Sequence, residues 1–218
     1  LIPNVFGPFG APYYNSVVAT FCYQLTHNEL PEIKVDGSLK LVYVAELVEA
    51  FIARIKTKDD SVNAYQVPHT KEIKVSGILE LLLSYKKSYL ENGEIPTLNN
   101  SFELNLFNTF RCYMDIENHF PVKFTEHTDP RGSFVEVIRL GIGGQVSFST
   151  TVPGITRGNH FHTRKIERFA VIKGKALIQL RRIDSEEVLD FYLDGNEPAY
   201  VDMPIWYTHN IKNVGDEV

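Results

Sequence analysis

The amino-acid sequence predicts an α+β protein in which a small, mainly helical first part is followed by an all-β second part. Two observations support this fold class. Apolar residues recur at helical spacing before about residue 120, and after it they fall in short runs that turn residues separate. Short strands at regular intervals are typical of a β-sandwich or barrel. We therefore expect two domains, over residues 1–115 and 116–218.

Helical periodicity in the first part indicates three helices, over residues 43–54, 76–90 and 102–113. The first helix is amphipathic, and the residues at helical spacing on its apolar face are Val44, Leu47, Val48, Phe51 and Ile52. Asn92 and Gly93 form a typical stop for the second helix. Residues 33–42 alternate around Asp36 and Gly37, which predicts a small β-hairpin before the first helix.

Strand patterns in the second part cover residues 144–152, 169–172, 176–183 and 188–193. The composition, with 44% hydrophobic and 12% aromatic residues in 218, is sufficient for a substantial core. The net charge is −5 and the basic residues are scattered, which argues against nucleic acid as a partner. No apolar run approaches the roughly 20 residues of a membrane span, so we expect a cytoplasmic protein.

Residues 154–174 have the residue types and the spacing of a metal site. His160 and His162 point to the same face of an extended strand, because side chains alternate along a strand. Glu167 follows a short turn, on the next predicted strand, so that three ligands converge from one hairpin. His209 lies in a later strand and supplies a fourth ligand. Three imidazoles and one carboxylate suit Zn²⁺, Fe²⁺ or Mn²⁺.

The order of these residues resembles the two signature motifs of the cupin superfamily. The first motif is matched by Gly154, His160, His162, Glu167 and Gly174, and the second by Pro204, His209 and Asn213. Trp206 stands where many cupins carry glycine. The resemblance implies a jelly-roll barrel that holds a metal, or alternatively hydrogen-bonded histidines without a metal, as in some sugar-epimerase cupins. Such a barrel needs one more strand after the second motif, so we expect either that strand beyond Val218 or an open barrel edge.

The first part is similar to the substrate-binding half of an extended short-chain dehydrogenase that acts on nucleotide sugars. The similarity rests on three segments, over residues 3–8, 14–22 and 41–48. In this order, and followed by a cupin, they resemble the C-terminal portion of the bacterial family that includes the capsular polysaccharide assembling protein CapF and the O-antigen enzyme WbjC. In that family an N-terminal half binds NADPH through a glycine-rich loop and a Tyr-x-x-x-Lys pair. Neither motif occurs in this sequence, so we expect no reductase activity from these residues.

The family resemblance implies a nucleotide-sugar enzyme of capsule or O-antigen biosynthesis. The cupin would epimerise a UDP-2-acetamido-2,6-dideoxy-4-hexulose at the carbon next to the ketone. In the full-length family the reductase half would then reduce C4 with NADPH, towards UDP-N-acetyl-L-fucosamine. The family also implies Zn²⁺ as the ion held by His160, His162, Glu167 and His209. A divalent cation beside the ketone oxygen stabilises the enolate that forms when the neighbouring proton leaves.

Tyr207 is the candidate catalytic acid or base. It lies two residues before His209 and should face the same side of the strand. A tyrosine packed in the barrel is the alternative. Six residues are candidates for binding the sugar, its oxygens or its phosphates, namely Asn4, Tyr14, Asn15, Arg131, Gln179 and Arg181. Turn formation or a solvent-facing position explains the same residue types equally well.

Two other functions remain open from the sequence. Three histidines and one glutamate also suit Fe²⁺, which would make the cupin an Fe-dependent dioxygenase. A non-catalytic cupin would serve instead as an assembly module for the dehydrogenase half. The nucleotide-sugar features of residues 3–22 favour the epimerase over the dioxygenase. We also expect a homodimer or a higher homo-oligomer, because open cupin edges often pair.

Overall fold

The structure, a computed structural model, describes residues 1–57, 64–129, 132–135, 137–138 and 149–217. The chain divides into two compact units, Leu1–Met114 and Asp115–Val218. Within the described ranges, helices predominate in the first unit and strands in the second. The predicted α+β class is therefore confirmed.

The first unit combines a three-stranded sheet with helices. Its strands are β1 (Asn4–Phe6), β2 (Ser38–Tyr43) and β3 (Lys71–Lys74), and β2 lies between a parallel β1 and an antiparallel β3. Its helices are α1 (Val17–Thr26), α2 (Val44–Thr57), α3 (Val75–Tyr85) and α4 (Ser101–Arg111), and a π-helical segment, Lys86–Glu91, continues α3. None of the helices in the described part of the chain is long and apolar enough to cross a membrane.

Capping and burial explain where these helices form. The Ser16 hydroxyl accepts a hydrogen bond from the Ala19 amide at the start of α1, and the Asn100 side chain accepts one from the Glu103 amide at the start of α4. Caps of this kind typically stabilise a helix by about 1 kcal/mol. The most deeply buried residues of α1, α3 and α4 are Cys22, Ile78, Leu82, Leu106, Phe107 and Phe110. These three helices therefore share the core of the unit.

Helix α2 lies where the periodicity predicted a helix, but its apolar face is not in the core. No residue of α2 is buried, and Val48, Phe51 and Ile52 are 49, 42 and 46% exposed. The predicted amphipathic helix is therefore present, with its apolar face partly exposed. Periodicity shows which residues share a face of a helix and carries no information about what covers that face.

The predicted hairpin over residues 33–42 does not form. Strand β2 begins only at Ser38, and the residues before Gly37 are in no strand. Asp36 instead binds the start of α3, where its carboxylate accepts hydrogen bonds from the amide and the hydroxyl of Ser76 at 2.8 and 3.0 Å. The aspartate that suggested a turn is therefore used to cap a helix, which is the other common role of this residue type.

The second unit is built from antiparallel strands after a short helix, α5 (Ile116–His119). The strands are β4 (Val122–Lys123), β5 (Glu126–Asp129), β6 (Gly132–Val135), β7 (Thr156–His160), β8 (Glu167–Val171), β9 (Lys175–Arg182), β10 (Leu189–Asp194), β11 (Ala199–Met203) and β12 (Tyr207–Asn213). One sheet has the order β10-β9-β12-β7, a second has the order β4-β11-β8, and β5 pairs with β6. Among the described strands these sheets stay open, and no closed barrel forms.

Three of the predicted strand segments correspond to β8, β9 and β10. The fourth, over residues 144–152, does not: residues 149–152 are in no strand, and the remainder lies outside the described residues.

The two larger sheets each bury one face. On β9, Ile178 and Leu180 are fully buried, whereas Gln179 between them is partly exposed. On β11, Val201 is fully buried as well. This alternation is expected of strands that turn one side to a hydrophobic core. The second sheet is also covered on its other side, because all five residues of β11 are buried.

A buried ion pair lies on that other side of the second sheet. Arg168 and Asp202 face each other across β8 and β11, with Nε 2.8 Å from Oδ1 and Nη2 3.1 Å from Oδ2. Their side chains are 4% and 1% exposed. The guanidinium also lies 3.7 Å from the centre of the Tyr200 ring, against which Phe120 and Phe124 pack. The bidentate contact holds β8 in register with β11.

Asparagine at position 202 would remove the charge that balances Arg168 while keeping the shape of the side chain. Because a buried charge without its counter-charge is strongly destabilising, we expect Asp202→Asn to lower the free energy of unfolding by about 3 kcal/mol. The exposed pair Lys123–Glu197 provides the control, and Glu197→Gln should lower it by less than about 1 kcal/mol. Urea denaturation measures both changes. An Asp202→Asn variant as stable as the Glu197→Gln variant would contradict the role given to this pair.

Candidate metal centre

The four residues that the motifs nominated as ligands come together in the second unit. His160 ends β7, His162 follows it by two residues, Glu167 begins β8 and His209 lies in β12. One potential ligand atom from each lies within 4.8 Å of those of the other three. The strands β7 and β12 belong to the first sheet and β8 to the second. The prediction of three ligands from one hairpin is therefore wrong, since the carboxylate comes from the opposite sheet.

Glu167 contacts two of the three histidines of the cluster. Its Oε2 lies 3.0 Å from Nε2 of His162 and 3.0 Å from Nε2 of His209. The ring of His160 lies 4.7 Å from that of His209 and 4.9 Å from that of His162, measured between ring centres. His209 is buried, His162 and Glu167 are half-buried and His160 is exposed. The cluster therefore reaches solvent on the side of His160.

The protonation state of His209 suits metal binding. Burial lowers the pKa of its imidazole, although the Tyr207 carbonyl and the Glu167 carboxylate oppose the shift. The Nδ1 nitrogen lies 3.2 Å from the Tyr207 carbonyl oxygen, and since a carbonyl only accepts, Nδ1 must carry the proton. In a neutral ring the lone pair is then on Nε2, which points at Glu167. A backbone partner that fixes the tautomer in this way is typical of metal-binding histidines.

Glu167 is held as a carboxylate. Desolvation by burial raises its pKa, but contacts with Lys165 and His162 together outweigh burial and leave the pKa lowered. The Lys165 ammonium forms an ion pair with Oε1, the oxygen that does not face the two imidazoles. Lys165 was not among the residues predicted for the site. Its position two residues before Glu167 was the available signal, because residues at that spacing share a face when the chain is extended.

A β-bulge sets the direction of His160. His209 pairs with His160, but the next residue, Asn210, pairs with Gly158, so that Asn159 is an extra residue in β7. Asn159 has φ of +63°, a left-handed conformation that asparagine tolerates better than most residues. Gly158 has φ of +107°, and a Cβ atom there would lie 2.9 Å from the His209 carbonyl oxygen. Only glycine fits so close to β12 at this position.

Aromatic rings surround the cluster. The ring of Phe169 packs edge-on against His209 at 5.7 Å, and Phe161 stacks on Trp206, also at 5.7 Å between centres. Trp206 adopts φ of +65°, the left-handed conformation that the glycine of the cupin motif would adopt freely. Its amide donates to the His162 carbonyl oxygen at 2.9 Å. The turn therefore forms with tryptophan in place of glycine, at a conformational cost of about 1–2 kcal/mol.

The donor set fits a divalent metal ion. Three imidazole nitrogens and one carboxylate oxygen are the usual ligands of Zn²⁺ and of the neighbouring transition metals. Nε2 of His209 is buried and, although close to Glu167, makes no hydrogen bond of acceptable geometry among the described residues. A buried nitrogen in this state is costly unless a ligand satisfies it. The cluster is therefore a possible metal-binding site whose residues fit the metal that the cupin motifs imply.

The remaining candidates are distributed differently. Tyr207 is half-buried and lies two residues before His209 on β12, on the same side of the strand by alternation. Gln179 and Arg181 alternate with Leu180, which is the cross-strand partner of His209. They therefore lie on the face of the sheet that is opposite to the cluster. Gln179 binds Asp190 there, and Arg181 donates to the Ser185 carbonyl oxygen.

Three of the other substrate-binding candidates belong to the first unit. Asn4, Tyr14 and Asn15 are exposed residues of the first unit, and the Asn4 side-chain amide lies 3.5 Å from the Lys40 carbonyl oxygen. Arg131 lies outside the described residues.

Comparison with known proteins identifies relatives in polysaccharide biosynthesis. The family model described as the polysaccharide biosynthesis C-terminal domain matches residues 127–218. The UDP-2-acetamido-2,6-beta-L-arabino-hexul-4-ose reductase of Pseudomonas aeruginosa is 33% identical over 219 residues, which cover 99% of this chain and 58% of that protein. The spore coat polysaccharide biosynthesis protein SpsL of Bacillus subtilis is 28% identical over 104 residues, covering 43% of this chain and 69% of that protein.

Among solved structures, the capsular polysaccharide assembling protein CapF from Staphylococcus aureus is similar over nearly the whole chain. The two are 37% identical with a TM-score of 0.56, and the match covers 99% of this chain and 63% of CapF. The chain thus spans about three fifths of the length of its CapF and reductase relatives. These similarities support a CapF-like family of polysaccharide biosynthesis proteins, with this chain corresponding to the C-terminal portion.

Proposed function

We propose that the second unit is a metal-dependent epimerase that acts on a UDP-linked 4-keto-6-deoxy-2-acetamido sugar during capsule or O-antigen biosynthesis. The observation that carries the proposal is the cluster of three imidazoles and one carboxylate, with ligand atoms within 4.8 Å of one another, in a chain of the CapF-like family. The name of the Pseudomonas aeruginosa relative supports the substrate class, since it specifies a UDP-linked sugar with a ketone at C4.

A ketone makes the hydrogen on the neighbouring carbon acidic, and this is the chemistry that the site suits. His160, His162, Glu167 and His209 would hold the metal, for which we propose Zn²⁺. When bound, the ion supplies a positive charge for the oxygen on which negative charge develops as that hydrogen leaves. The imidazole of His209 stays neutral because burial lowers its pKa, so it remains available as a ligand rather than as an acid.

Tyr207 is proposed as the group that moves the proton. Its side chain lies on the same side of β12 as His209, and its carbonyl oxygen fixes the tautomer of that ring. A phenol can deliver a proton to one face of the carbon and become a phenolate, which a nearby positive charge stabilises, while inversion also requires a base on the opposite face to take up the original hydrogen.

The activity of full-length relatives extends beyond these residues. In the full-length family we propose that an N-terminal half, outside the part of the relatives that this chain matches, reduces the C4 ketone with NADPH after epimerisation. The product would then be a precursor of UDP-N-acetyl-L-fucosamine. The residues described above account for the epimerisation step only.

The metal site predicts a specific loss of metal on removal of one imidazole. The purified chain should hold about one zinc ion, and His162→Ala should lose most of it because a three-ligand site binds the ion far more weakly. His69→Ala is the matched control, since His69 is a partly exposed histidine of the first unit that pairs only with Glu72 among the interactions described. Elemental analysis by mass spectrometry measures the zinc content. Equal zinc in both variants would contradict the site.

The role of Tyr207 predicts separate effects on metal binding and on proton transfer. In D₂O the wild-type chain should introduce deuterium next to the ketone of a UDP-4-keto-6-deoxy-2-acetamido sugar. Tyr207→Phe should keep its zinc and exchange at least about 100-fold more slowly, a typical effect of removing a general acid or base. Nuclear magnetic resonance of the sugar measures the exchange, and Tyr192→Phe, which changes an exposed tyrosine of β10, is the control.

The same experiment separates the other functions considered for a cupin. Iron in place of zinc, with oxygen consumed and no deuterium incorporated, would make the protein a dioxygenase. Zinc without exchange in the wild type would leave the second unit as a structural or assembly module. Exchange that is unchanged in Tyr207→Phe would assign the proton transfer to another residue.

A further inference from the structure

A row of four polar side chains crosses the outer face of the four-stranded sheet, on the side opposite to the metal cluster. The Gln179 amide nitrogen donates to Oδ1 of Asp190 at 2.8 Å. The Asn210 amide nitrogen donates to Oε1 of Gln179 at 3.3 Å and to Oδ1 of Asn159 at 3.1 Å. The row therefore connects β10, β9, β12 and β7 in order. We call these four residues the amide relay.

Asp190, at one end of the amide relay, sets the direction of every hydrogen bond in it. The carboxylate of Asp190 can only accept, so Gln179 must present its nitrogen to Asp190 and its oxygen to Asn210. Asn210 must then present its nitrogen, whose second hydrogen is directed at the oxygen of Asn159. Each amide therefore has one favoured orientation. The cross-strand register, in which Gln179 faces both Asp190 and Asn210, places the side chains for these contacts.

The last member of the amide relay is the bulged residue that precedes a proposed metal ligand. Asn159 is the extra residue of β7, with φ of +63°, and His160 follows it directly. A bulge redirects the side chains beside it, and here it lets His160 face the cluster while Asn159 faces the outer side of the sheet. A shift of this bulge would move the imidazole of His160 relative to those of His162 and His209.

We propose that the amide relay positions His160 for metal binding by holding the bulge at Asn159 from the back of the sheet. This inference rests on the metal site of the proposed function. It gives Gln179 a positioning role in place of the substrate-binding role predicted from the sequence, since both ends of its amide are used by Asp190 and Asn210. It also accounts for a chain of side-chain hydrogen bonds on a partly exposed surface, where each bond alone contributes only about 1 kcal/mol to folding.

Two isosteric substitutions of adjacent members test the inference. Asn210→Asp removes both hydrogen bonds that position 210 donates, whereas Asn159→Asp keeps the oxygen that accepts the bond from Asn210. Both variants add one negative charge and nearly preserve side-chain volume. Aspartate also tolerates the left-handed conformation at position 159. The matched pair therefore separates the loss of the relay from the effects of charge and size.

We expect Asn210→Asp to raise the dissociation constant for Zn²⁺ at least about tenfold, as is typical of residues that orient a metal ligand. Asn159→Asp should stay within about threefold of the wild type by the same reasoning. Competition with a chromophoric chelator measures the affinity. The visible absorption of bound Co²⁺ reports ligand geometry, and it should change in Asn210→Asp and not in Asn159→Asp. A purely structural role would lower the melting temperature of the metal-free protein without altering this spectrum.

Each outcome decides a different point. Equal affinities and identical Co²⁺ spectra in the two variants would overturn the positioning role while leaving the metal site intact. A wild type that binds neither ion would overturn both the inference and the metal site. A wild type that binds metal but exchanges no sugar proton would overturn only the proposed epimerase. If Asn210→Asp does not fold, Gln179→Met interrupts the relay one strand further from the bulge and should weaken Zn²⁺ binding clearly more than Asn159→Asp does, whereas equal affinities would overturn the positioning role.

Discussion

The second unit depends on one constraint, which is that three imidazoles and a carboxylate must meet at a point between two sheets. Strands β7 and β12 lie in one sheet and β8 lies in the other. The four residues therefore meet only because the two sheets pack together. Glu167 contacts His162 and His209 at 3.0 Å in each case, and these contacts join the two sheets. Positive charge beside the partly buried Glu167 carboxylate offsets the cost of its burial; Lys165 supplies such a charge, and a bound metal ion would supply a further one.

Both ligand-bearing sheets are held from their outer sides. Behind β8, the side chain next to Glu167 belongs to Arg168, whose buried pair with Asp202 keeps this strand in register. Behind β7 and β12, the amide relay reaches the bulge that turns His160 towards the cluster. The alternation of a β-strand allows this arrangement, because in the site that we propose one side of a strand would provide a ligand and the other side would hold that ligand in position.

The sequence predicted the identities of the clustered residues better than the way in which they meet. Spacing placed His160, His162 and Glu167 correctly as neighbours, but it could not show that Glu167 belongs to a different sheet, since pairing between strands is decided by contacts that are distant in sequence. For the same reason, alternation could show that Gln179 and Arg181 share a face but not that this face is the one opposite to the cluster. In the first unit, helical periodicity located α2 but could not show that its apolar face would be partly exposed.

X-ray absorption spectroscopy at the zinc edge of the purified chain would show directly which atoms coordinate the ion. We expect a bound ion with three imidazole ligands and at least one oxygen ligand at about 2.0–2.2 Å, and no sulfur neighbour. In His209→Ala, the spectrum should show one imidazole ligand fewer. Zinc absent from the chain, or zinc bound through the sulfur of Cys22 or Cys112, would contradict the four-ligand site on which the proposed function rests.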